Sequence, residues 1–153
     1  MLKKEWSLIL VFISKIAYGD VVVIDTHVSK DPLIFEVTIE NASDTAVARG
    51  YIAAHFVTPG REVPWVSSWE QHYSVPGGVE NGEAYTLELS APPEIADIQD
   101  YEVTAEVFFF SAFSENRAPL NDDAEFVAAE LERQRLESEA LQADLDEMMK
   151  VGE

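Results

Sequence analysis

The side chains able to do chemistry are few and scattered. Three histidines, His27, His55 and His72, are the side chains that could serve as imidazole ligands or bases. None stands at a metal-ligand spacing from another, and ordinary strand or surface positions account for all three. There is no cysteine, which removes thiol nucleophiles, thiolate metal sites and disulfides. No Gly-x-Ser-x-Gly elbow, P-loop or dinucleotide glycine fingerprint occurs, and Gly77-Gly78 reads as a turn because no helix follows it. The run Asn121-Asp122-Asp123-Ala124-Glu125 gathers oxygens that a hard cation could use. It lacks the glycine turn and the spaced ligands of an EF-hand, and helix capping explains it more simply. The expectation is a protein that is not an enzyme, with no catalytic residue, no metal ligand and no cofactor.

The aromatic residues are more suggestive. Trp65, Trp69 and Tyr73 are spaced by four. Even spacing places all three on one face of a strand, and the same spacing does so on helical turns. An exposed ladder of flat rings could bind carbohydrate or a peptide. Alternatively, the three cap a hydrophobic core.

Charge narrows the partner classes. The 153 residues carry 10 Lys plus Arg against 29 Asp plus Glu, a formal net charge of −19. Residues 20–120 hold 4 basic and 17 acidic side chains, and residues 121–153 hold 3 and 11. Such a surface repels phosphate backbones, so nucleic acid is excluded as a partner. It favours solubility and would attract basic partners or cations. The 47% hydrophobic content is enough for a core, which argues against wholesale disorder.

Between residues 20 and 113 the pattern has period two. Val21 to Ile24 is a β-branched run, and Leu33, Phe35, Val37 and Ile39 alternate with Ile34, Glu36, Thr38 and Glu40. That spacing predicts a half-buried strand with its odd positions inward. Val47 to Val57 resumes strand character after the turn cluster Asn41-Ala42-Ser43-Asp44, and Thr58-Pro59-Gly60 turns again. Val63 to Val75 is less regular, and Pro76-Gly77-Gly78 is expected to break the chain. A hairpin-type Asn81-Gly82 turn precedes the alternating Tyr85, Leu87 and Leu89. Last come Tyr101, Val103, Ala105, Val107 and Phe109, expected inward, with Phe108 and Phe110 outward. Six or seven short strands without an intervening helix predict an antiparallel β-sandwich of immunoglobulin-like or fibronectin-like type.

Three stretches carry a family resemblance: Pro32-Leu33-Ile34-Phe35-Glu36-Val37-Thr38-Ile39-Glu40-Asn41, Thr58-Pro59-Gly60-Arg61-Glu62-Val63-Pro64-Trp65, and Tyr73-Ser74-Val75-Pro76-Gly77-Gly78-Val79-Glu80-Asn81-Gly82-Glu83. Together they make about residues 30–110 similar to uncharacterised bacterial secreted or lipoprotein Ig-like domains of the FxLYD-like type. The chain departs from that pattern at Asn81, where a proline is usual before Gly-Glu, and in having no lipid-bearing cysteine. The resemblance implies a sandwich fold and a cell-envelope location. It implies no activity for any residue.

Both ends are expected to be separate elements. Lys3-Lys4, the apolar run Trp6 to Ile13, and small residues at Ala17 and Gly19 match a signal peptide over residues 1–19. Cleavage after Gly19 would make the protein periplasmic or secreted, and otherwise it is cytoplasmic. The run also suits a buried strand, and it is too short to span a bilayer. After a linker over 114–120, residues 121–150 contain no Gly or Pro and are predicted to form an acidic amphipathic helix. A heptad laid over it places Val127, Leu131, Leu141, Leu145 and Met148 on a seam interrupted by Gln134 and Ser138. The stripe needs a surface: it packs back on the sandwich, self-associates as a weak coiled coil, or docks on a protein partner. The sequence therefore reads as a non-enzymatic scaffold with a helical docking or oligomerisation tail. The alternative is a carbohydrate- or peptide-binding module built on Trp65, Trp69 and Tyr73.

Overall fold

Among the described residues, alternation becomes six antiparallel strands, and a 30-residue segment after them becomes a helix. The computed structural model describes residues 21–152, so the expected signal segment 1–19 lies outside the described residues. Strands β1 (Val21–Lys30), β2 (Leu33–Asn41) and β5 (Ala84–Ser90) form one sheet in the order β1-β2-β5. Strands β3 (Val47–Val57), β4 (Val66–Val79) and β6 (Thr104–Phe113) form the other in the order β4-β3-β6. Helix α1 spans Asp122–Val151.

One core lies between the sheets. Phe35, Val37 and Ile39 of β2 are fully buried, as the odd-position pattern predicts, beside Leu87 and Leu89 of β5. They meet Ile52, Ala54 and Phe56 of β3 and Val75 and Val79 of β4. Phe35 packs edge-on against Phe56 and Trp69, with ring centroids 5.2 and 5.4 Å apart. Burying each such side chain contributes roughly 1.5–3 kcal/mol.

Three details depart from the sequence pattern. First, β6 pairs with β3 through a register shift, so that Ala53 faces Phe109 while Ala54 faces Val107. The extra residue, Phe108, is exposed, and Phe110 is buried where an outward position was expected. A bulge adds one residue to one strand, and every side chain beyond it changes face. Second, Pro76-Gly77-Gly78 does not end a strand. It lies inside β4, where pairing resumes at Val79 with Val47 after leaving Ser74 with Arg49. Gly77 and Gly78 have φ of +81° and +74°, which only glycine adopts without strain, and they absorb the irregularity. Third, a short 3-10 turn over Pro93–Asp97 buries Ile95 in the core, a contact that no periodicity announces.

Candidate functional site

The junction of β6 and α1 sets everything that follows it. Segment 114–120, expected as a linker, is hydrogen-bonded: Ser114 N–H donates to the Ala118 carbonyl and Leu120 N–H to the Ala112 carbonyl, at 3.0 and 2.9 Å. Asn121 then does two jobs. Its Oδ1 accepts from Ala124 N–H at 3.0 Å, capping the helix. The same oxygen accepts from Ala112 N–H at 3.1 Å, and its Nδ2 donates to the Phe110 carbonyl at 2.7 Å. Asp123 Oδ2 accepts from Phe110 N–H at 2.7 Å. Two side chains thus pair the outer edge of β6 as a neighbouring strand would, and they fix the angle at which α1 leaves. The carboxylates of Asp122, Asp123 and Glu125 also sit at the positive end of the helix dipole. Capping is what the Asn121–Glu125 run does here.

Asn121→Ala is therefore expected to destabilise the protein by about 2 kcal/mol, since it removes a cap and leaves β6 edge groups without partners. Asn121→Asp should fall between the two, because it keeps the acceptor and loses the donor to Phe110. Urea unfolding followed by circular dichroism reads both.

Among the described residues, only the first turns of α1 touch the body. Ala124 is buried, Val127 and Ala128 are half-buried, and every residue from Leu131 to Gly152 is exposed. The packed-back expectation therefore fails for most of the helix, because Asn121 and Asp123 aim it away from the sheets. At about 1.5 Å per residue the helix is about 45 Å long. Its middle is held by its own side chains. Arg133 bridges Glu130 and Glu137, and Arg135 bridges Glu132 and Glu139, each across three and four residues. The arginine hydrogen bonds hold the Glu130 and Glu132 carboxyls below their ordinary range. Beyond these clips Leu141, Leu145 and Met148 are 62%, 46% and 72% exposed. They form an apolar tip among Asp144, Asp146 and Glu147.

Around the base of α1 the helix overhangs the outer face of the β4-β3-β6 sheet and leaves a groove of about 770 Å³. Arg49, Tyr51, His72 and Arg117 line its floor and end, and Val127, Ala128, Leu131 and Arg135 line its helical wall. Tyr51 and His72 rings lie 4.1 Å apart.

The three predicted ligand aromatics do not present a ladder. Trp69 and Tyr73 share a face, as their spacing predicts, but that face is the inner one: Trp69 packs on Phe35 and Phe56, and Tyr73 is buried against Phe110. The Tyr73 hydroxyl donates to the Ser111 carbonyl at 2.7 Å, and burial pushes its pKa well above the ordinary phenol value. Trp65 lies outside β4, with Nε1–H donated to Thr58 Oγ1 at 2.8 Å and the Arg61 guanidinium stacked 3.6 Å above its ring. The histidines are not brought together either. His55 stacks on Phe108, His72 leans on Tyr51, and His27 is on β1. Among the described residues no group of three His, Asp or Glu side chains could hold a metal ion, and no helix is long and apolar enough to cross a membrane.

No family model, curated protein or solved structure matches the chain. The groove and the helix that overhangs it must therefore be judged on their own chemistry. Arg49, Arg117 and Arg135 bring cationic groups to a predominantly acidic surface, and Tyr51, Val127 and Leu131 bring apolar ones. Sequence reasoning found the helical half of this site in its heptad. It missed Arg49 and Arg117, whose only signal was the scarcity of basic residues in the body.

Proposed function

We propose that this is an exported, non-enzymatic protein-interaction module in which an Ig-like β-sandwich holds an acidic helix out for docking. The observation that carries the reading is the exposure of Leu141, Leu145 and Met148 on a helix that leaves the body after its first turns. A helix of this composition gains little from exposing leucines to water, and an amphipathic face of this kind binds in a groove or against another helix. The strand order β1-β2-β5 and β4-β3-β6 supports the Ig-like reading. In that architecture a last strand pairs with the outer edge of the strand that β6 represents. Here the Asn121 and Asp123 side chains take its place along part of that edge. The resemblance of residues 30–110 to envelope domains, together with the Lys3-Lys4 and Trp6 to Ile13 pattern, supports export.

Co-purification from the native host tests the reading. The bait is the full chain, tagged at its C-terminus, beside a version ending at Ser138. The shorter bait keeps Asn121, Asp123 and the packed first turns of the helix, so the body stays intact. A protein recovered only with the full chain is the expected result, and the bait's intact mass should show loss of residues 1–19. Equal recovery by both baits would move the function to the body.

A further inference from the structure

We propose that the partner of the α1 tip is a second copy of this chain, with each tip seated in the groove at the base of the other copy's helix. This rests on the docking reading above and names the occupant. The argument begins with the basic side chains of the body, of which residues 20–120 contain four. Lys30 donates to the Ile98 and Tyr101 carbonyls, and Arg61 stacks on Trp65. The remaining two, Arg49 and Arg117, make no side-chain hydrogen bond or ion pair among the described residues, and both line the same groove. Next to them stand Tyr51, Val127 and Leu131. The groove therefore wants a ligand that is apolar on one side and acidic on the other. The α1 tip has that chemistry: Leu141, Leu145 and Met148 beside Asp144, Asp146 and Glu147.

The tip cannot reach its own groove. Leu145 lies 14 residues beyond Leu131 on one continuous helix, about 21 Å along the axis. The clips at Arg133 and Arg135 brace the intervening turns against bending back. The contact must join two molecules. The seam is apolar at both ends, with Val127 and Leu131 at one and Leu141, Leu145 and Met148 at the other, and polar Gln134 and Ser138 between them. Two helices laid antiparallel and centred on Ser138 put each Leu145 beside the other copy's Leu131. The two Ser138 residues then face each other, and both grooves are filled at once. Such an exchange is two-fold symmetric and closes, so it yields a dimer and not a fibre.

Because the chain has no cysteine, disulfide trapping reports the register cleanly. A bridge needs Cα atoms within about 7 Å. Equimolar Leu131→Cys and Leu145→Cys chains are expected to form a mixed disulfide under mild oxidation. Leu145→Cys alone should give none, because the tips sit at opposite ends of the pair. Sedimentation equilibrium should show a dimer for the full chain, with dissociation at least tenfold easier for Arg49→Glu/Arg117→Glu and for the chain ending at Ser138. Circular dichroism confirms that these variants are folded. Self-crosslinking of Leu145→Cys, or a dimer indifferent to the arginine reversal, would mean a parallel coiled coil and overturn the proposal. A monomer throughout would overturn it too. The docking reading would then stand or fall separately, on capture of a different protein by the full chain and not by the Ser138 truncation.

Discussion

Replacing Gly50 by alanine is expected to destabilise the protein by about 3–5 kcal/mol, a large part of the 5–15 kcal/mol that holds a typical domain together. Gly50 is the middle of three strands at this level, opposite Tyr73 of β4 and Ala112 of β6. Its backbone is not in the left-handed region, so conformational freedom is not the reason for glycine here. Space is. A Cβ would lie 1.8 Å from the Ser111 carbonyl oxygen and 2.5 Å from the Tyr73 hydroxyl. That hydroxyl crosses over Gly50 to reach Ser111, joining β4 to β6 above β3. The alanine variant must either spread β3 from β6 or expel the hydroxyl. The second route leaves a buried carbonyl without its donor. Thermal unfolding should show a midpoint lower by on the order of 15 °C. Tyr73→Phe should cost far less, about 1 kcal/mol. In the double variant the penalty at Gly50 should fall only in part, because the contact with the Ser111 oxygen remains. A Gly50→Ala protein as stable as the parent would mean that the sheet is not packed this closely.

How much of this could be read from the chain differs by element. Strand β2 was legible because one of its faces is buried throughout, so period two survives in Phe35, Val37 and Ile39. Strand β6 was legible only up to Val107, since the bulge at Phe108 inverts the alternation and nothing in Phe108-Phe109-Phe110 tells which ring faces in. Proline and two glycines in β4 looked like a break because those residues preset turn angles, yet a bulged strand uses the same angles. The helix was legible to within a residue at each end, since Asn121 and the acidic first turn mark its start. Its seam was visible as well. What the sequence could not carry was the direction of the helix, which depends on Asn121 and Asp123 reaching back to β6. The groove was equally hidden, because Arg49, His72, Arg117 and Leu131 come from four places in the chain. Single-residue chemistry was a poor guide to the aromatics: the spacing of Trp69 and Tyr73 gave their shared face, and only the sheet pairing decides that this face is the core.

Asn41 is the position where a polar side chain matters most, and its loss is expected to cost about 3–4 kcal/mol. The residue ends β2 and is fully buried. Its Nδ2 donates to the Thr45 carbonyl at 2.9 Å and the Val79 carbonyl at 2.7 Å, and its Oδ1 accepts from Ser43 N–H at 2.8 Å. Its backbone holds the next turn, with Gly82 N–H donating to the Asn41 carbonyl and Asn41 N–H to the Glu83 carbonyl, at 2.6 and 3.0 Å. One amide thus ties the end of β2 to the start of β3, the end of β4 and the turn into β5. Asn41→Leu keeps roughly the volume and removes all three side-chain bonds, so the Val79 carbonyl and the Ser43 amide lose their side-chain partner and the Thr45 carbonyl is left with the Ser43 hydroxyl alone. Asn41→Asp isolates the donor. It keeps the oxygen for Ser43 but sets a carboxylate against the Thr45 and Val79 carbonyls. Burial and those oxygens disfavour the charged form, which raises the folded-state pKa of the new aspartate above its unfolded value. The folded state then binds the extra proton in the window between the two values. Stability of the variant should therefore fall, relative to the parent, as pH rises from about 4 towards 7. Asn41→Leu should show no such relative slope. Denaturant titrations at pH 4.5 and pH 7 distinguish the two, and an Asn41→Asp deficit that did not grow with pH would show that the amide's two donated bonds are not what holds this corner.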